Sequence, residues 1–599
     1  MAISYRDGAE ERVGRILRAS ADLSSLALLA PEGSDWELVY HLAPERGNLL
    51  RPFDFEGLSV LELGAGMGGA SRVVAERCAR YVGVEGAPDR AVALRERLRD
   101  LPHASVEVCN LADFVTDERF DVVLLVGVLE YAALYVDSPG GDLSPFEHVL
   151  ECACAWLKPG GALMVAIENR NGLKYWAGAP EDHTSRPFDG IVGYPHRNSP
   201  RTFSRRVLLQ LLRSAGLGSV DEFYPWPDYK MPSVIVSGRL VQSHPFFAAE
   251  LVGDAQARAL FRHPENFPLS LAAMELARSG LLHEFSNSFL FVGFARGGED
   301  LRGRLLRRLL DEGELAWHYS LKRRVPAETA FASDGSEGLV VRKRSLAPVS
   351  SEFETVRWLP RPEQPARLER SVFHHLRALA FAGRAEEFQD TLERFLDWAL
   401  DRYGLPDGGI SPEALDVNPT NAVPDGQGFD LFDIEWVSRE PIPASWFILR
   451  TLFTIEDAVA MFPSPPWNTL AELYALLCRR YGISPDLDSD LAREARLQTD
   501  THRHLTAESV RDALSARFKD ARSGSGYQRD AAADWSLRKA LSGGDAPIRM
   551  IARMLLRAVV RRVFRLFRRT RIRPSGAPPV GMAGSSLGFG ILVEWLGRS

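Results

Sequence analysis

From Leu58 to about Ile167, near-continuous apolar runs (SVLELG, YVGVEG, SVEVCN, DVVLLVGV, ALMVAIE) alternate with stretches of helical period. That alternation predicts an open parallel sheet with helices on both faces, a doubly wound α/β domain. Two later runs, SVIVSG near Ser233 and NSFLFVGFAR near Ser288, predict strands added at its edge and a boundary near Ala295, so the first domain is expected over 1–297. The charged RGGEDLRGRLLRRLLDEGE reads as a linker with a short helix over 298–316. ETAFASDGSEGLVVRKRSL then reads as two strands around a glycine-containing turn, and helical period runs from Leu368 to Tyr403, which predicts an α+β domain over 317–485. A polar helical segment (486–545), a basic amphipathic helix (546–573) and a Pro/Gly-rich tail (574–599) follow.

Composition narrows the class. At 599 residues the chain exceeds what one hydrophobic core supports, and 45% apolar with 25% charged residues is ordinary globular composition. Its five cysteines are scattered without a CxxC, which points to neither a zinc site nor a disulfide framework and suits reducing cytosol. The first residues carry charges where a signal peptide needs an apolar core, and no uncharged run is long enough to span a bilayer. A cytoplasmic protein is expected, at most peripheral on the inner face of the cytoplasmic membrane.

In SVLELGAGMGGASR a strand runs into glycines and then a helix, where backbone approaches a ligand closely. Gly64, Gly66 and Gly69 satisfy GxGxxG for a dinucleotide, while Glu62, Gly64, Gly66 and Gly68 satisfy the ExGxGxG of S-adenosylmethionine enzymes. Glu85, at the tip of the next strand, suits the ribose hydroxyls of either ligand. The later order, FDVVLLVGVLEYA and then LKPGGALMVAIEN, resembles class I methyltransferases over roughly 36–297. The similarity is closer to a bacterial group found with surface-polysaccharide genes, through YHLAPERGNLLRPF and ENRNGLKYWAGAPEDHTSRPFDG. It implies S-adenosylmethionine as cofactor, with Glu62, Gly64, Ala65, Gly66 and Gly68 on the methionine and ribose side and Glu85 on the ribose. Where that group usually has a Gly-Asp pair on the adenine this chain has Cys109 and Asn110, with Asp113 three residues on, so either Asn110 or Asp113 takes the role. Glu130 and Tyr131 follow the fourth strand and His183, beside Asp182, follows the fifth. These three are the catalytic candidates, against the plainer reading of a solvated helix start and a loop contact.

A second motif lies in LDVNPTNAVPDGQGFDLFDIEW, where Asp416 and Asn421 have the spacing of a kinase catalytic aspartate and its metal-binding asparagine. The stretch resembles the aminoglycoside and choline kinase-like group over about 317–480. The resemblance implies Asp416 as base, Asn421 and Asp433 on magnesium, and Lys343 on the phosphates of ATP, although no partner glutamate stands on an early helix. Strand alternation puts Lys343 on the opposite face from Arg342 and Arg344.

The combination resembles the bifunctional kinase-methyltransferases that cap O-antigen polysaccharide. By that resemblance the acceptor is a glycan or lipid-linked saccharide, phosphorylated and then methylated, with a glycosyltransferase as possible partner. A methyltransferase of a sugar hydroxyl or amine with a non-catalytic pseudokinase, and a scaffold, are the alternatives. Arg549, Arg553, Arg557, Arg561, Arg565 and Arg569 recur every fourth residue among Met, Leu, Val and Phe, which suits a helix lying on an anionic membrane surface. Few stacking aromatics accompany them, so no nucleic-acid partner is expected.

Overall fold

The computed structural model describes residues 8–31, 34–135, 144–195, 200–257, 265–366, 368–503 and 505–519. The expected basic helix, the tail and the end of the polar segment lie outside them. Five strands run parallel: β1 (Ser59–Leu63), β2 (Arg80–Glu85), β3 (Ala104–Val108), β4 (Phe120–Val126) and β5 (Leu157–Glu168), in the spatial order β5-β4-β1-β2-β3. All but one position of β4 is buried, as the uninterrupted apolar run requires of a strand covered on both faces. Strand order reverses between β1 and β4, which opens a crevice beyond their carboxyl ends.

The two later runs are β7 (Val234–Ser237) and β8 (Ser288–Ala295), with β6 (Leu217–Trp226) before them. They extend the parallel sheet from its β5 edge: β8 lies antiparallel between β5 and β6, and β6 pairs with β7. The sheet then continues through the boundary expected near 297. β7 pairs antiparallel with β9 (Glu314–Ser320), with Val234 opposite His318, Ile235 opposite Trp317 and Val236 opposite Ala316. β10 (Ala327–Ser333) and β11 (Leu339–Ser345) follow as a hairpin on β9. β12 (Val356–Trp358) leaves to pair with Trp436–Ser438, and β13 (Glu363–Ala366) closes a sheet of twelve strands on β11.

The segment expected as a linker with a short helix is packed against the sheet's later strands. Residues 298–316 form helices Glu299–Leu305 and Arg307–Leu310 and the start of β9. Leu305, Leu306 and Leu309 are buried, and Arg308 bridges Glu314 and Glu328 at 2.6 Å each. A charged run looks solvated when its partners sit on strands not yet reached in sequence.

A second core, spanning 325–518, gathers under helices that include Val372–Phe381, Ala385–Tyr403 and Ala444–Thr454. Helices Leu487–Thr501 and Ala507–Lys519 place Leu491, Ala495, Leu514 and Phe518 in it, so this packing unit runs past the boundary expected at 485. Trp317, at the β7–β9 junction, is 1% exposed and donates from Nε1 to Glu314 at 2.8 Å. Trp317→Ala is expected to cost about 3–5 kcal/mol by cavity formation. Urea unfolding with limited proteolysis of both halves checks it: the midpoint should fall for peptides on both sides of residue 297.

Candidate active site

A cavity of about 660 Å³ occupies the crevice at the carboxyl ends of β1, β2 and β4. Its first wall is the glycine loop. Gly64 has φ +70°, and a Cβ there would lie 2.5 Å from Val128, so only glycine fits. Gly66 has φ +58° with no atom within 4 Å of a notional Cβ, which leaves its face open to the cavity. Its N–H donates to Glu85 Oε2 at 2.8 Å, while Oε1 of the same carboxylate accepts from Ala87 N at 2.8 Å. Glu85 is thus fixed at the tip of β2, 9% exposed, with lone pairs remaining for further donors. Glu62 lines the cavity and accepts from Tyr81 Oη at 2.5 Å; burial raises its carboxyl above the usual range.

Glu62, Gly64, Ala65, Gly66, Glu85, Asn110, Glu130, Tyr131 and His183 all line this one cavity. Two expected residues do not. Gly68 turns toward the helix Pro88–Leu98, where a Cβ would sit 2.7 Å from Leu94 and 2.8 Å from Arg97, so that glycine serves packing. Asp113 is exposed and lines a separate hollow with Arg80 and Val115, which leaves Asn110 of the two adenine candidates at the cavity.

The opposite wall holds charges the sequence reading did not connect. Glu168, at the end of β5, is fully buried between His183 Nε2 at 3.1 Å and the Lys230 ammonium. Burial would raise its carboxyl, but Lys230 and His183 hold it near 2. Lys230 also reaches Asp182 at 3.3 Å, and Lys174 pairs with Asp182 at 2.7 Å. His183 meets Tyr131 Oη through Nδ1 at 3.0 Å; burial disfavours its charge, yet Glu168 outweighs this and lifts it to about 9. The loop carrying it is tied down by Glu181, which accepts from the N–H groups of His183 and Thr184, and it includes positive φ at Ser185, Phe188 and Tyr194. Such strain collects at functional loops. Glu130 is fully buried at the start of the turn after β4; burial first, then repulsion from Glu168, push its carboxyl up to about 8. Glu130, Glu168 and His183 lie within cation-binding distance of one another, but Lys230 already sits on Glu168, so this donor set fits a proton better than a metal.

A separate constellation forms where β11 meets the second motif. Lys343 Nζ lies 2.6 Å from Asp433 Oδ1 and 3.0 Å from Glu435 Oε2, while Arg342 and Arg344 pair on the other face with Glu363 and Glu314. Glu435, two residues past Asp433, pairs with both Lys343 and Arg323. Asp433 takes φ +57°, strained for a non-glycine residue. Asp416 is buried, its Oδ2 accepting from Glu435 N at 2.9 Å and Trp436 N at 2.6 Å. Burial and then Glu435 raise its carboxyl to about 6. Asn421 donates to the Asp416 carbonyl at 3.1 Å, and its own carbonyl accepts from Phe432 N, next to Asp433. Asp416 as placed braces the motif through Oδ2.

Residues 61–163 match the family described as "Methyltransferase domain". This part of the chain is a class I S-adenosylmethionine-dependent methyltransferase domain. The methyltransferase match covers the glycine loop, Glu85 and Glu130 but ends before Glu168 and His183. Among curated relatives, a ubiquinone biosynthesis O-methyltransferase of Cereibacter sphaeroides is 31% identical over 127 residues, 21% of this chain and 47% of that protein. Its counterpart in Roseobacter denitrificans is 30% identical over 181 residues, 29% of this chain and 65% of that protein. The chain thus spans about half the length of the first relatives it matches. A solved structure described as a possible histamine N-methyltransferase from Thermotoga maritima is 18% identical, covering 44% of this chain and 93% of that one, with a TM-score of 0.26.

The pKa directions set a pH dependence. Glu130 holds its proton in the folded chain up to about 8 against an ordinary 4.5, so its ionisation in the unfolded chain withdraws stability as pH rises from 4.5 toward 8. Glu130→Gln removes that penalty. The variant should be the more stable protein at pH 8 by a few kcal/mol at most, and nearly equal at pH 4.5, in denaturant titrations at the two pH values.

Proposed function

We propose that this chain transfers a methyl group from S-adenosylmethionine to an acceptor in the 660 Å³ cavity. The observation that carries the reading is the open face of Gly66 beside the fixed Glu85 carboxylate, at the reversal point of a parallel sheet. Glu85 would accept the ribose hydroxyls, Gly64 to Gly66 would let the donor approach backbone, and Asn110 would face the adenine. S-adenosylmethionine supplies an electrophilic methyl group, and the chain supplies orientation and exclusion of water. In this reading the acceptor is a glycan or lipid-linked saccharide, met at a membrane surface through 546–573 and handed on by a glycosyltransferase. Glu85→Ala should weaken S-adenosylmethionine binding by about 1.5–3 kcal/mol, because the donor's hydroxyls lose a charged acceptor. Isothermal calorimetry on the full chain tests this; tight NADH binding with no response to the methyl donor would refute it.

The Lys343–Asp433 ion pair, at a strained aspartate, supports a second reading for the later half: a kinase-like site for Mg-ATP, with Asp433 and Asn421 on the metal and Lys343 on phosphate. With Lys343 resting on Asp433 and Asp416 braced on backbone amides, the donor set fits such a complex only in part. Glu435 would hold Lys343 in register. Mg-ATP should raise the melting temperature of the wild type and leave Asp433→Ala unmoved. No shift with any Mg-nucleotide would favour the alternative of a pseudokinase beside a methyltransferase.

A further inference from the structure

We propose that the methyl acceptor carries its own proton, as a hydroxyl or an amine, and that Glu130 receives that proton. The inference rests on the methyltransferase reading and names its acceptor chemistry. Glu130 lines the cavity, is 0% exposed, and neither carboxyl oxygen has a hydrogen-bond partner among the described residues. Buried polar atoms in folded proteins are almost always paired, so an orphaned carboxyl on a residue that borders a cavity marks a place for a ligand donor.

The neighbouring cations do not fill that role. Glu168 of β5 takes Lys230 and His183, and Asp182 takes Lys230 and Lys174. His183 Nε2 stands 4.0 Å from Glu130 Oε1, beyond hydrogen-bond reach, and its ring nitrogens are committed to Glu168 and Tyr131. Tyr229 completes the surroundings as a buried phenol. His183, charged up to about 9, is therefore a clamp and not the base. A carboxylate whose environment favours protonation up to about 8 has the basicity to take a proton near neutral pH.

The same wall disfavours an acceptor that arrives ionised. Besides Glu130, six acidic side chains line the cavity against four lysines and arginines and the charged His183. A phosphate monoester brings about two further negative charges to that surplus. In the step proposed, the acceptor's O–H or N–H proton passes to a Glu130 oxygen as the new bond to carbon forms. The carbon–sulfur bond breaks with its electron pair left on sulfur, and Glu130 returns the proton to solvent after release. This separates the methyl acceptor from any phosphate placed by the later half.

Three compounds that differ in the acceptor group on one ring, phenol, benzylamine and phenyl phosphate, test the proposal with the full chain and labelled S-adenosylmethionine. Calorimetry first establishes donor binding; its absence would sink the methyltransferase reading itself. Given donor binding, phenol or benzylamine should stabilise the complex with S-adenosylhomocysteine and accept methyl, and phenyl phosphate should do neither. Which of the two is preferred tells hydroxyl from amine. The rate should climb about tenfold per pH unit and level off near 8. Glu130→Gln should lower it by about 100-fold or more with donor affinity within about twofold of wild type, and Glu130→Asp should recover part of it. A carboxylic acid infrared band at pH 7 that vanishes in Glu130→Gln gives a readout independent of turnover. Preference for phenyl phosphate, equal or absent stabilisation by all three, or a Glu130→Gln rate within about fivefold of wild type would overturn the proposal.

Discussion

The β7–β9 ladder is the constraint on which the rest of this molecule depends. Three facing pairs, from Val234 opposite His318 to Val236 opposite Ala316, join a methyltransferase sheet to the strands that carry Lys343. Without β9 the edge of β7 would present unpaired N–H and C=O groups beside an apolar surface, an edge that invites association. Trp317 fills the seam, and Arg308 closes it by joining the carboxylates of β9 and β10. The larger hydrophobic core runs across this junction, taking Val234, Ile235 and Val236 of β7 together with Trp317, Phe331 and Val341 of the later strands, while the core over 325–518 gathers its own helices.

Within that frame the cavity has two walls of different physics. The donor wall is backbone: two glycines with positive φ and a carboxylate fixed by two N–H groups. The opposite wall is a buried charge network in which Lys174, Lys230 and His183 each pair with a carboxylate, while the Glu130 carboxyl accepts no hydrogen bond among the described residues. Desolvated charges of this kind persist when paired, and removing one partner is costly. Lys230 and Glu168 therefore fix where His183 stands as firmly as the loop fold does.

What was legible in the sequence was what is local in it. The parallel strands showed because each is an apolar run, and Gly64, Gly66, Glu85, Glu130 and His183 showed because strand tips are readable from those runs. Glu168 was in plain view at the end of ALMVAIE, yet its meaning depends on Lys230, 62 residues later, which no periodicity predicts. Gly68 satisfied a motif by spacing but turns to Leu94, and Asp113 satisfied it by type but sits outside. The sheet's continuation was hidden because 298–316 is charged, and only the fold supplies Arg308 with Glu314 and Glu328. Glu435 stood beside Asp433 all along, but its partnership with Lys343 appears only when β11 is laid against the motif.

The segment before β1 binds the two walls together. Arg46 lines the cavity near the donor loop and donates to the Lys230 carbonyl at 2.8 Å, and Asn48 donates to the Pro232 carbonyl at 2.8 Å. One short stretch of chain thus props the loop that positions Lys230 while facing the glycines. Drift in this floor would disturb donor and acceptor together, so selection for a new acceptor has little room there. The rim between Lys174 and Tyr194 instead carries the exposed side chains of Trp176 and Val192, whose replacement would leave these floor contacts in place.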